Sequence, residues 1–438
     1  MLHFLAQELN EILQDSPVDS FLSALGKRLY FPKGIIAQSA EAKQQGKKAN
    51  ATVGITVNDG KPAILPCIQK HFPYLNSSEI VAYAPTAGLP ELREAWKTKI
   101  TEKNPVLKNK TISLPVVVPG LTAGISVLCD LFLDEDEVLL ACDPCWDNYG
   151  LIVEARSNAK LKQFPMFWGD SFSGGFNLET FTKALEEEAK TGIVKIILNF
   201  PQNPSGYSPS VKEAEDICAL IKNFAEKGTK MLIWCDDAYF GLAYEEEIDR
   251  QSLFAYLSDI HENVVAVKID GPTKEDYVWG FRTGFLTFGG KGLSDAHFAA
   301  IEKKLMGAIR SSVSCSNTAS QSIMLKMFQE ASLEDEKKAL KEILKGRYET
   351  VKTFLETKKD HKILRPLPFN SGYFMSFRCE GIDAEALRQV LLHKREIGTI
   401  SIDERHLRVA FSSVDKRDIE NVFTAIYEEA ENLKQNGR

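Results

Sequence analysis

The sequence predicts an α/β protein with a large domain built on a mostly parallel, helix-covered sheet and a smaller α+β domain after it. From about residue 112, short runs rich in Val and Ile alternate with helical stretches, a pattern typical of parallel sheets. The run 193–199 is apolar along most of its length, which suits a strand buried on both faces. A charged helical stretch at 333–358 then begins a mixed region of strands and helices.

The elements before residue 112 are short. Apolar residues spaced at about 3.6 positions predict one or two helices within residues 1–35, and the polar, lysine-rich residues 39–50 predict a loop. Residues 52–57 are strand-like and are followed by a turn at Asn58-Asp59-Gly60. Two further helices are predicted at 64–71 and 89–100, the second with Pro90 in its first turn.

The alternation that follows gives the large sheet. We predict strands at 116–118, 137–142, 193–199, 231–235 and 264–267. Helices are predicted at 123–133, capped by Thr122, and at 146–155 and 211–226. The second region contains a helix at 333–358, strands at 373–377 and 407–411, and a final helix at 416–433.

Composition excludes several classes of protein. The chain has 438 residues, with 44% hydrophobic and 26% charged side chains, as in ordinary globular proteins. A net charge of −7 argues against nucleic-acid binding. No apolar run approaches the ~20 residues that span a membrane, and the acidic start does not resemble a signal peptide. We therefore expect a cytoplasmic protein without a membrane or nucleic-acid partner.

The eight cysteines show no metal-site spacing. Cys142 and Cys145 form a CxxC pair, but no second pair lies nearby. This spacing favours free thiols in a reducing compartment over a metal or redox site. We expect no metal.

Lys274 lies at the centre of the predicted site. Gly271 and Pro272 end the strand at 264–267, so Lys274 is on a loop at a strand's carboxyl end. Open α/β sheets place ligand crevices there. A lysine amine forms a Schiff base with a carbonyl, and Arg282, eight residues on, can clamp a phosphate. Pyridoxal phosphate carries both a carbonyl and a phosphate. The alternative is a solvated loop in which Lys274 and Arg282 bind no cofactor.

Polar or aromatic residues follow the other predicted strands as well. Thr122 lies at a helix start, where free N–H groups bind anions. Trp146 offers an aromatic face, and Asn203 can donate to a ring oxygen, as can Tyr239. Asp236 can keep a pyridine nitrogen protonated. Each residue alone has an ordinary alternative as a cap, turn or core residue, but their order, each after a strand, favours one site.

These residues resemble the class I aminotransferases, which are fold type I pyridoxal-phosphate enzymes, and within them the aspartate and aromatic branch. The resemblance covers about Val53 to Phe411. It is carried by Lys274 with Arg282 and Gly284, Asn203 in Asn-Pro-Ser-Gly, Asp236 and Tyr239 in Asp-Asp-Ala-Tyr, Trp146 in Pro-Cys-Trp, Tyr83 in Tyr-x-Pro-x-x-Gly-Leu, and Arg408 before Phe411-Ser412.

The resemblance implies roles for these residues. Lys274, Asp236 and Tyr239 would be catalytic, with Lys274 as general acid and base. Arg408 would grip the substrate α-carboxylate. The residues that would bind pyridoxal 5'-phosphate are Lys274, Arg282, Leu121, Thr122, Trp146, Asn203, Asp236, Tyr239, Tyr83 and Thr273. The substrate-binding residues would be Arg408, Gly54, Asn203, Trp146 and Arg310.

The resemblance also implies an organisation for the chain. Residues 51–325 would form the large cofactor-binding domain and 326–438 the small domain. Residues 1–50 would pack on the small domain or on a partner. The protein would be a homodimer with shared active sites, in which Tyr83 crosses to the partner's phosphate site.

Two positions depart from the family pattern. The family often has Ser or Thr shortly before its lysine to hold the phosphate, whereas this chain has Asp270-Gly271-Pro272-Thr273, so Thr273 is the substitute. Arg310, 36 residues past Lys274, is the nearest candidate to read a side-chain carboxylate. Its alternative is a surface or domain-interface arginine.

The expected activity is transfer of an amino group from an L-amino acid, dicarboxylic or aromatic, to a 2-oxo acid by a ping-pong mechanism. The same cofactor residues also fit a carbon–sulfur lyase, decarboxylase or synthase of the same fold. A non-catalytic regulator of this fold would need a DNA-binding domain, and residues 1–50 are too short and insufficiently basic to be one.

Overall fold

The N-terminal part of the computed structural model consists of short helices. The structure describes residues 2–14, 22, 24–29 and 35–436. Helices α1 (Phe4–Leu13), α2 (Ala24–Arg28) and α3 (Ile35–Gln45) precede strand β1 (Ala49–Asn50). Short helices within 1–35 are confirmed where described, and the parts of that prediction on 15–21, 23 and 30–34 lie outside the described residues.

The predicted loop at 39–50 is wrong, because α3 extends to Gln45. Tertiary contacts explain the helix. Ala42 is buried, and the Gln38 side chain accepts from the Ser401 N–H at 2.8 Å and donates to its carbonyl at 2.9 Å. A polar, lysine-rich composition did not reveal these contacts.

The predicted strand at 52–57 is also wrong. Only β2 (Val57–Asn58) pairs, with β3 (Lys61–Pro62), across the predicted turn. The residues before it are irregular because their carbonyls are bonded to distant residues. Ala410 N–H donates to the Ala51 carbonyl at 2.8 Å, and Ser412 Oγ to the Ile55 carbonyl at 2.9 Å.

Helices and strands then alternate as predicted. The helices are α4 (Pro66–Gln69), α5 (Ser77–Ile80), α6 (Pro90–Lys103), α7 (Leu121–Phe132), α8 (Asn148–Gly150), α9 (Leu178–Glu188), α10 (Val211–Glu226) and α11 (Leu253–Leu257), with a π-helical stretch at Leu151–Arg156. The strands are β4 (Val116–Val118), β5 (Val138–Asp143), β6 (Lys160–Pro165), β7 (Phe167–Trp168), β8 (Gly175–Phe176), β9 (Ile193–Asn199), β10 (Lys230–Asp236), β11 (Val264–Asp270) and β12 (Gly284–Gly289).

The central sheet is mostly parallel, as predicted. Its order in the described chain is β4-β12-β11-β10-β9-β5-β6. Strands β11, β10, β9, β5 and β6 are parallel, and β12 is antiparallel to both of its neighbours. The carboxyl ends of the parallel strands therefore meet at one edge, and Asp236 pairs in register with Asn199 and Ile269.

Alternating side chains give the sheet two buried faces. Ile196 and Ile233 belong to the core on one face, and Ile197 and Trp234 to the core on the other. Helix α7 begins two residues earlier than predicted. Its N-cap is Gly120 instead of Thr122, because Gly120 has a φ of 89° that turns the chain into the helix.

Helices α12 (Asp295–Ser312) and α13 (Thr318–Met327) follow the large sheet, and α12 packs on its core. The C-terminal region after them is the predicted α+β assembly. Its elements are α14 (Leu333–Glu356), β13 (Leu364–Pro366), β14 (Met375–Cys379), α15 (Ala384–Arg395), β15 (Ile397–Gly398), β16 (Ile400–Ser401), β17 (His406–Val409) and α16 (Ile419–Asn436). Strands β13, β14, β17 and β16 form an antiparallel sheet in that order. The domain boundaries at 50 and 325 stay predictions.

A third core lies between this sheet and its helices. It includes Leu344 of α14, Phe377 of β14 and Ile426 of α16. All eight cysteines are free thiols. Within the described part of the chain, no helix combines the length and apolarity needed to cross a membrane, and no group of acidic, His or Cys side chains is arranged to hold a metal ion.

Candidate active site

A cavity of about 170 Å³ lies at the carboxyl ends of β9 and β10. Eight predicted site residues line it: Leu121, Thr122, Trp146, Asn203, Asp236, Tyr239, Lys274 and Arg282. They meet because the loops after five strands, β4, β5, β9, β10 and β11, open at the same sheet edge.

Asp236 supplies the buried carboxylate. It is the last residue of β10. Oδ2 accepts a hydrogen bond from the Tyr149 hydroxyl, and Oδ1 accepts one from the Ala238 N–H at 3.2 Å. Burial raises the pKa of Asp236 to about 6, while Tyr149 and Lys274 oppose that rise. Asp236 is therefore mostly ionised at neutral pH.

Lys274, which is half-buried, supplies an amine to the cavity. The Tyr373 hydroxyl donates to the Lys274 carbonyl at 2.7 Å and fixes its backbone. Nζ lies 5.0 Å from the Tyr239 ring centroid, and no described group accepts a hydrogen bond from it. Burial lowers the pKa of Lys274 to about 8, with Arg282 contributing and Asp236 opposing. A useful fraction of the amine is therefore neutral near physiological pH, as a nucleophile requires.

The start of α7 and Arg282 form an anion site. The N-cap, Gly120, provides no side-chain cap, so the first N–H groups of the helix and its dipole face the cavity. A Cβ built on Gly120 would lie 2.6 Å from Arg282 Nη2, so the guanidinium rests directly on this glycine. Arg282 itself has a φ of 52°, a conformation that is uncommon for a non-glycine residue.

Arg408 is a second buried cation. Nη1 donates to Asn203 Oδ1 and Nη2 to the Thr52 carbonyl, both at 2.9 Å. Its guanidinium lies 4.2 Å from the Phe374 ring centroid, and Nε has no partner among the described residues. A built Cβ on Gly54 would lie 3.0 Å from the same ring. Arg408 thus keeps a donor and a full charge for a carboxylate.

Five predicted residues do not line the cavity. Two of them lie beside it: Arg408 bonds to Asn203, and a Cβ built on Gly54 would lie 3.5 Å from the Tyr239 hydroxyl. The Thr273 hydroxyl donates to the Thr283 carbonyl at 3.4 Å. Tyr83 is 92% exposed, and Arg310 is exposed at the end of α12. Their roles at the site stay predictions.

Asp270 is the first of the four residues before Lys274, where the family often has Ser or Thr. Its Oδ1 accepts from Trp96 Nε1 at 2.9 Å, and its Oδ2 lies 3.6 Å from Lys268 Nζ. The carboxylate is thus held in a buried charge network and does not contact Arg282 or the start of α7.

Sequence reasoning missed four residues of the site. Asn199 ends β9 and lines the cavity, and the signal for it was a polar residue ending a buried strand. Tyr149 lies three residues after Trp146, a helical spacing that places both on one face. Tyr373 and Phe374 hold Lys274 and Arg408, and only the tertiary structure shows these contacts.

Pyridoxal 5'-phosphate fits this arrangement. The cavity combines an amine without an acceptor, an uncapped helix start beside a guanidinium, and a buried carboxylate. These groups match the cofactor's aldehyde, phosphate and ring nitrogen. Trp146 lines the same cavity and offers a flat surface for the ring.

Comparisons with curated proteins agree with the geometry. A family model described as aminotransferase class I and II matches residues 50–426. The probable N-acetyl-LL-diaminopimelate aminotransferase of Bacillus subtilis is 27% identical over 247 residues, which cover 56% of this chain and 55% of that protein. The aspartate aminotransferase of Pyrococcus abyssi is 28% identical over 204 residues, which cover 47% of this chain and 48% of that protein. The chain aligns with about half the length of these relatives.

Solved structures match over nearly the whole chain. An aminotransferase from Anaerococcus prevotii has a TM-score of 0.80 at 24% identity, covering 92% of this chain and 97% of that one. The Pyrococcus horikoshii kynurenine aminotransferase, solved in complex with PMP, has a TM-score of 0.76 at 16% identity, covering 96% and 99%. At these identities the likeness shows a shared fold.

Proposed function

Because the chain belongs to the class I and II aminotransferase family, we propose that it transfers the amino group of an L-amino acid to a 2-oxo acid with pyridoxal 5'-phosphate as cofactor. Its architecture is the predicted fold type I one. One observation carries the proposal: the acceptor-free amine of Lys274 shares a cavity with the Asp236 carboxylate and with an uncapped helix start.

Different residues of the cavity would bind different groups of the cofactor. Arg282 and the N–H groups at the start of α7 bind the phosphate. Asp236, held ionised in part by Tyr149, accepts a hydrogen bond from the ring nitrogen. Asn203 and Tyr239 lie where they can donate to the ring oxygen. When bound, the cofactor would supply an aldehyde that is reactive toward amines and a protonated ring that withdraws electrons.

Lys274 and Arg408 act on the substrate. Arg408 binds the α-carboxylate and orients the amino acid. Lys274 Nζ accepts the proton from the substrate α-carbon, for which the amine must be neutral. A pKa of about 8 gives it that form in part of the molecules at neutral pH. In the first half-reaction Nζ would pass this proton on to the bound cofactor, and in the second half-reaction, with a 2-oxo acid, it would carry a proton in the reverse direction.

We propose a dicarboxylic or aromatic amino donor. The names of the relatives support these classes, since they include an aspartate and a kynurenine aminotransferase. Phe374 and Trp146 add aromatic surface around Asn203. We propose that Arg310 binds a side-chain carboxylate of the substrate. Because Arg310 is exposed in the single chain, it would act in the site of a second subunit.

We further propose a homodimer with shared sites. The described segment from Phe72 to Tyr83 exposes large apolar side chains, with Tyr74 and Val81 both 77% exposed. Such surface is typical of subunit contacts. Tyr83, at 92% exposure, would reach the partner's phosphate site. We also propose a cytoplasmic location.

Borohydride reduction followed by peptide mapping tests the function. Reduction should fix the cofactor to Lys274, and a Lys274→Ala protein should lose at least about 10²-fold in transamination rate. Lys345→Ala, on the surface of α14, is the matched control and should retain activity. Consumption of the amino acid without any 2-oxo acid would instead indicate a lyase or decarboxylase and would refute the proposal.

A further inference from the structure

A second cavity of about 310 Å³ lies behind the cofactor cavity. Strand geometry explains its position, since successive side chains point to opposite faces of a sheet. Asn199 and Asp236 line the cofactor cavity. Their neighbours Leu198 and Cys235 line the second cavity. The two cavities therefore open on opposite faces of the same strand ends.

One wall of the second cavity is apolar. Leu198, Phe200, Phe240 and Leu253 contribute to it. A ligand that fills this part would bury hydrocarbon, which stabilises a complex in proportion to the area removed from water. The remaining wall carries polar and charged groups, which a charged ligand would complement.

Two cations of this cavity lack a carboxylate partner. Arg250 donates to the carbonyls of Ala243 at 2.9 Å and Glu245 at 2.6 Å, and Lys341 donates to the Gly241 carbonyl at 2.7 Å. No described carboxylate forms an ion pair with either side chain. The two cations line the same cavity and donate to carbonyls two residues apart, at Gly241 and Ala243. Burial lowers the pKa of Lys341 and the charge of Arg250 lowers it further, while Glu275 opposes both. A ligand carboxylate would relieve the repulsion between the two cations.

One carboxylate of the cavity also lacks a cation. Asp249 Oδ1 accepts from the Gln251 N–H at 2.8 Å. The Tyr256 hydroxyl accepts from Gln251 Nε2 at 2.9 Å and has its own hydrogen free for the Asp249 carboxylate beside it. Within the described chain, no Lys, Arg or His pairs with Asp249. A ligand ammonium would supply the positive charge that this carboxylate lacks.

The other acids of the cavity are neutralised inside the protein. Asp237 pairs with buried Lys268. Glu275 pairs with Lys103 at 2.6 Å and with Lys337 at 3.2 Å. Glu334, which is largely exposed, lies 3.6 Å from Lys99. The charges left open are therefore two cations and one anion.

We propose that this second cavity binds a free α-amino acid with an apolar side chain. Its carboxylate lies between Arg250 and Lys341, and its ammonium donates to Asp249. Its side chain packs on Phe240 and Leu253. This second site takes part in no step of transamination. The proposal for the site and the proposed function can therefore be tested independently of each other.

Calorimetry with α-methyl-L-phenylalanine tests the site. This probe has no α-hydrogen and cannot be transaminated. The protein is the cofactor-loaded Arg408→Gln variant, which weakens carboxylate binding in the active site. We expect one equivalent bound per chain, and Lys341→Gln in the same background should weaken binding at least about tenfold. Lys345→Gln, one turn along α14 and paired with Glu349 at 3.9 Å, should leave binding unchanged.

Two results would overturn the assignment. One is absence of binding, or equal binding with and without Lys341→Gln. The other is equal binding of 3-phenylpropionate, which has the carboxylate and the ring but no ammonium, because the Asp249 contact would then contribute nothing. Arg250→Gln gives a second variant if Lys341→Gln unfolds. Cofactor absorbance in the same samples tests the proposed function separately.

Discussion

The Tyr149 hydroxyl donates a hydrogen bond to Asp236 Oδ2, the carboxylate that faces the cofactor cavity. A hydrogen bond to an ionised carboxylate favours the charged form. Burial acts in the opposite direction and raises the pKa of Asp236 to about 6. Tyr149 is therefore one of the groups that keep this carboxylate charged at neutral pH.

Tyr149→Phe should move the acid limb of the pH–rate profile to higher pH. Without the hydroxyl the pKa of Asp236 rises above about 6, so less carboxylate is ionised between pH 6 and 7. We expect a shift of up to about one unit in kcat/KM measured from pH 5.5 to 8.5. The control is Tyr207→Phe, whose hydroxyl donates to Glu213 at 2.6 Å away from the cavity. An unchanged profile in Tyr149→Phe would contradict this role.

The amine of Lys274 should titrate near pH 8 in the cofactor-free protein. Burial lowers its pKa to about 8, so labelling by an amine-reactive reagent should rise around that pH. Asp236 favours the ammonium, so Asp236→Asn should lower the midpoint. Arg282 disfavours it, so Arg282→Gln should raise the midpoint. Competitive labelling with mass spectrometry measures these midpoints, with Lys345 as the reference. Shifts in the reverse directions would refute the electrostatic account.

Arg408→Gln should weaken substrate binding without releasing the cofactor. A hydrogen bond to a charged group contributes about 1.5–3 kcal/mol, so kcat/KM should fall roughly 10- to 10²-fold for both the amino acid and the 2-oxo acid. Cofactor absorbance should not change. The matched control is Arg378→Gln, on the neighbouring strand, where the guanidinium is exposed and pairs with Glu380 at 2.6 Å. Loss of cofactor from Arg408→Gln would contradict this role, because Arg408 would then hold the cofactor and not the substrate.

The large sheet and most of the cavity could be predicted because their signals are local. Strands buried on both faces are continuous apolar runs, and β4, β9 and the start of β11 lie where those runs lie. A site at the carboxyl edge of a parallel sheet collects residues that each follow a strand. Lys274, Asp236, Asn203 and Trp146 could therefore be found without any tertiary information.

The features that sequence reasoning missed depend on distant partners. Helix α3 was predicted as a loop because the reason for it lies at Ser401, which holds Gln38. The segment before β2 was predicted as a strand, but its carbonyls bond to Arg408 and Ser412 instead of a neighbouring strand. Tyr83 is exposed in the single chain, and its predicted role needs a second subunit.

Gly120→Ala should lower cofactor affinity by a steric effect on Arg282. The added Cβ would lie 2.6 Å from Nη2, so the guanidinium must leave its place beside the start of α7. We expect the Kd for pyridoxal phosphate to rise at least about tenfold. Gly192→Ala is the control, because Gly192 also has a positive φ but no atom within 4 Å of the new Cβ. Both variants should lose about 1–3 kcal/mol of stability, and equal cofactor affinity in the two would contradict the steric argument.

Lys268→Met should destabilise the fold strongly, and more so at high pH. Lys268 pairs with Asp237, and its Nζ lies 3.6 Å from Asp270 Oδ2, all three side chains being buried. Removing the cation leaves two buried carboxylates without compensation, which costs about 3–5 kcal/mol. Burial raises the pKa of Asp270 to about 6 even with Lys268 present, and without it the pKa rises further.

The sign of the pH effect follows from proton binding. In Lys268→Met the folded state holds a proton on Asp270 between the ordinary aspartate pKa and the raised one, whereas the unfolded state does not. Stability therefore increases as pH falls through that window. Urea denaturation should show a smaller loss at pH 5.5 than at pH 8, and Lys268→Met/Asp237→Asn should recover part of it by removing one unpaired charge. Lys183→Gln, which breaks an exposed pair with Glu179 at 2.5 Å, should leave the stability nearly unchanged. If Lys268→Met is as stable as the wild type at pH 8, the buried network does not support the fold.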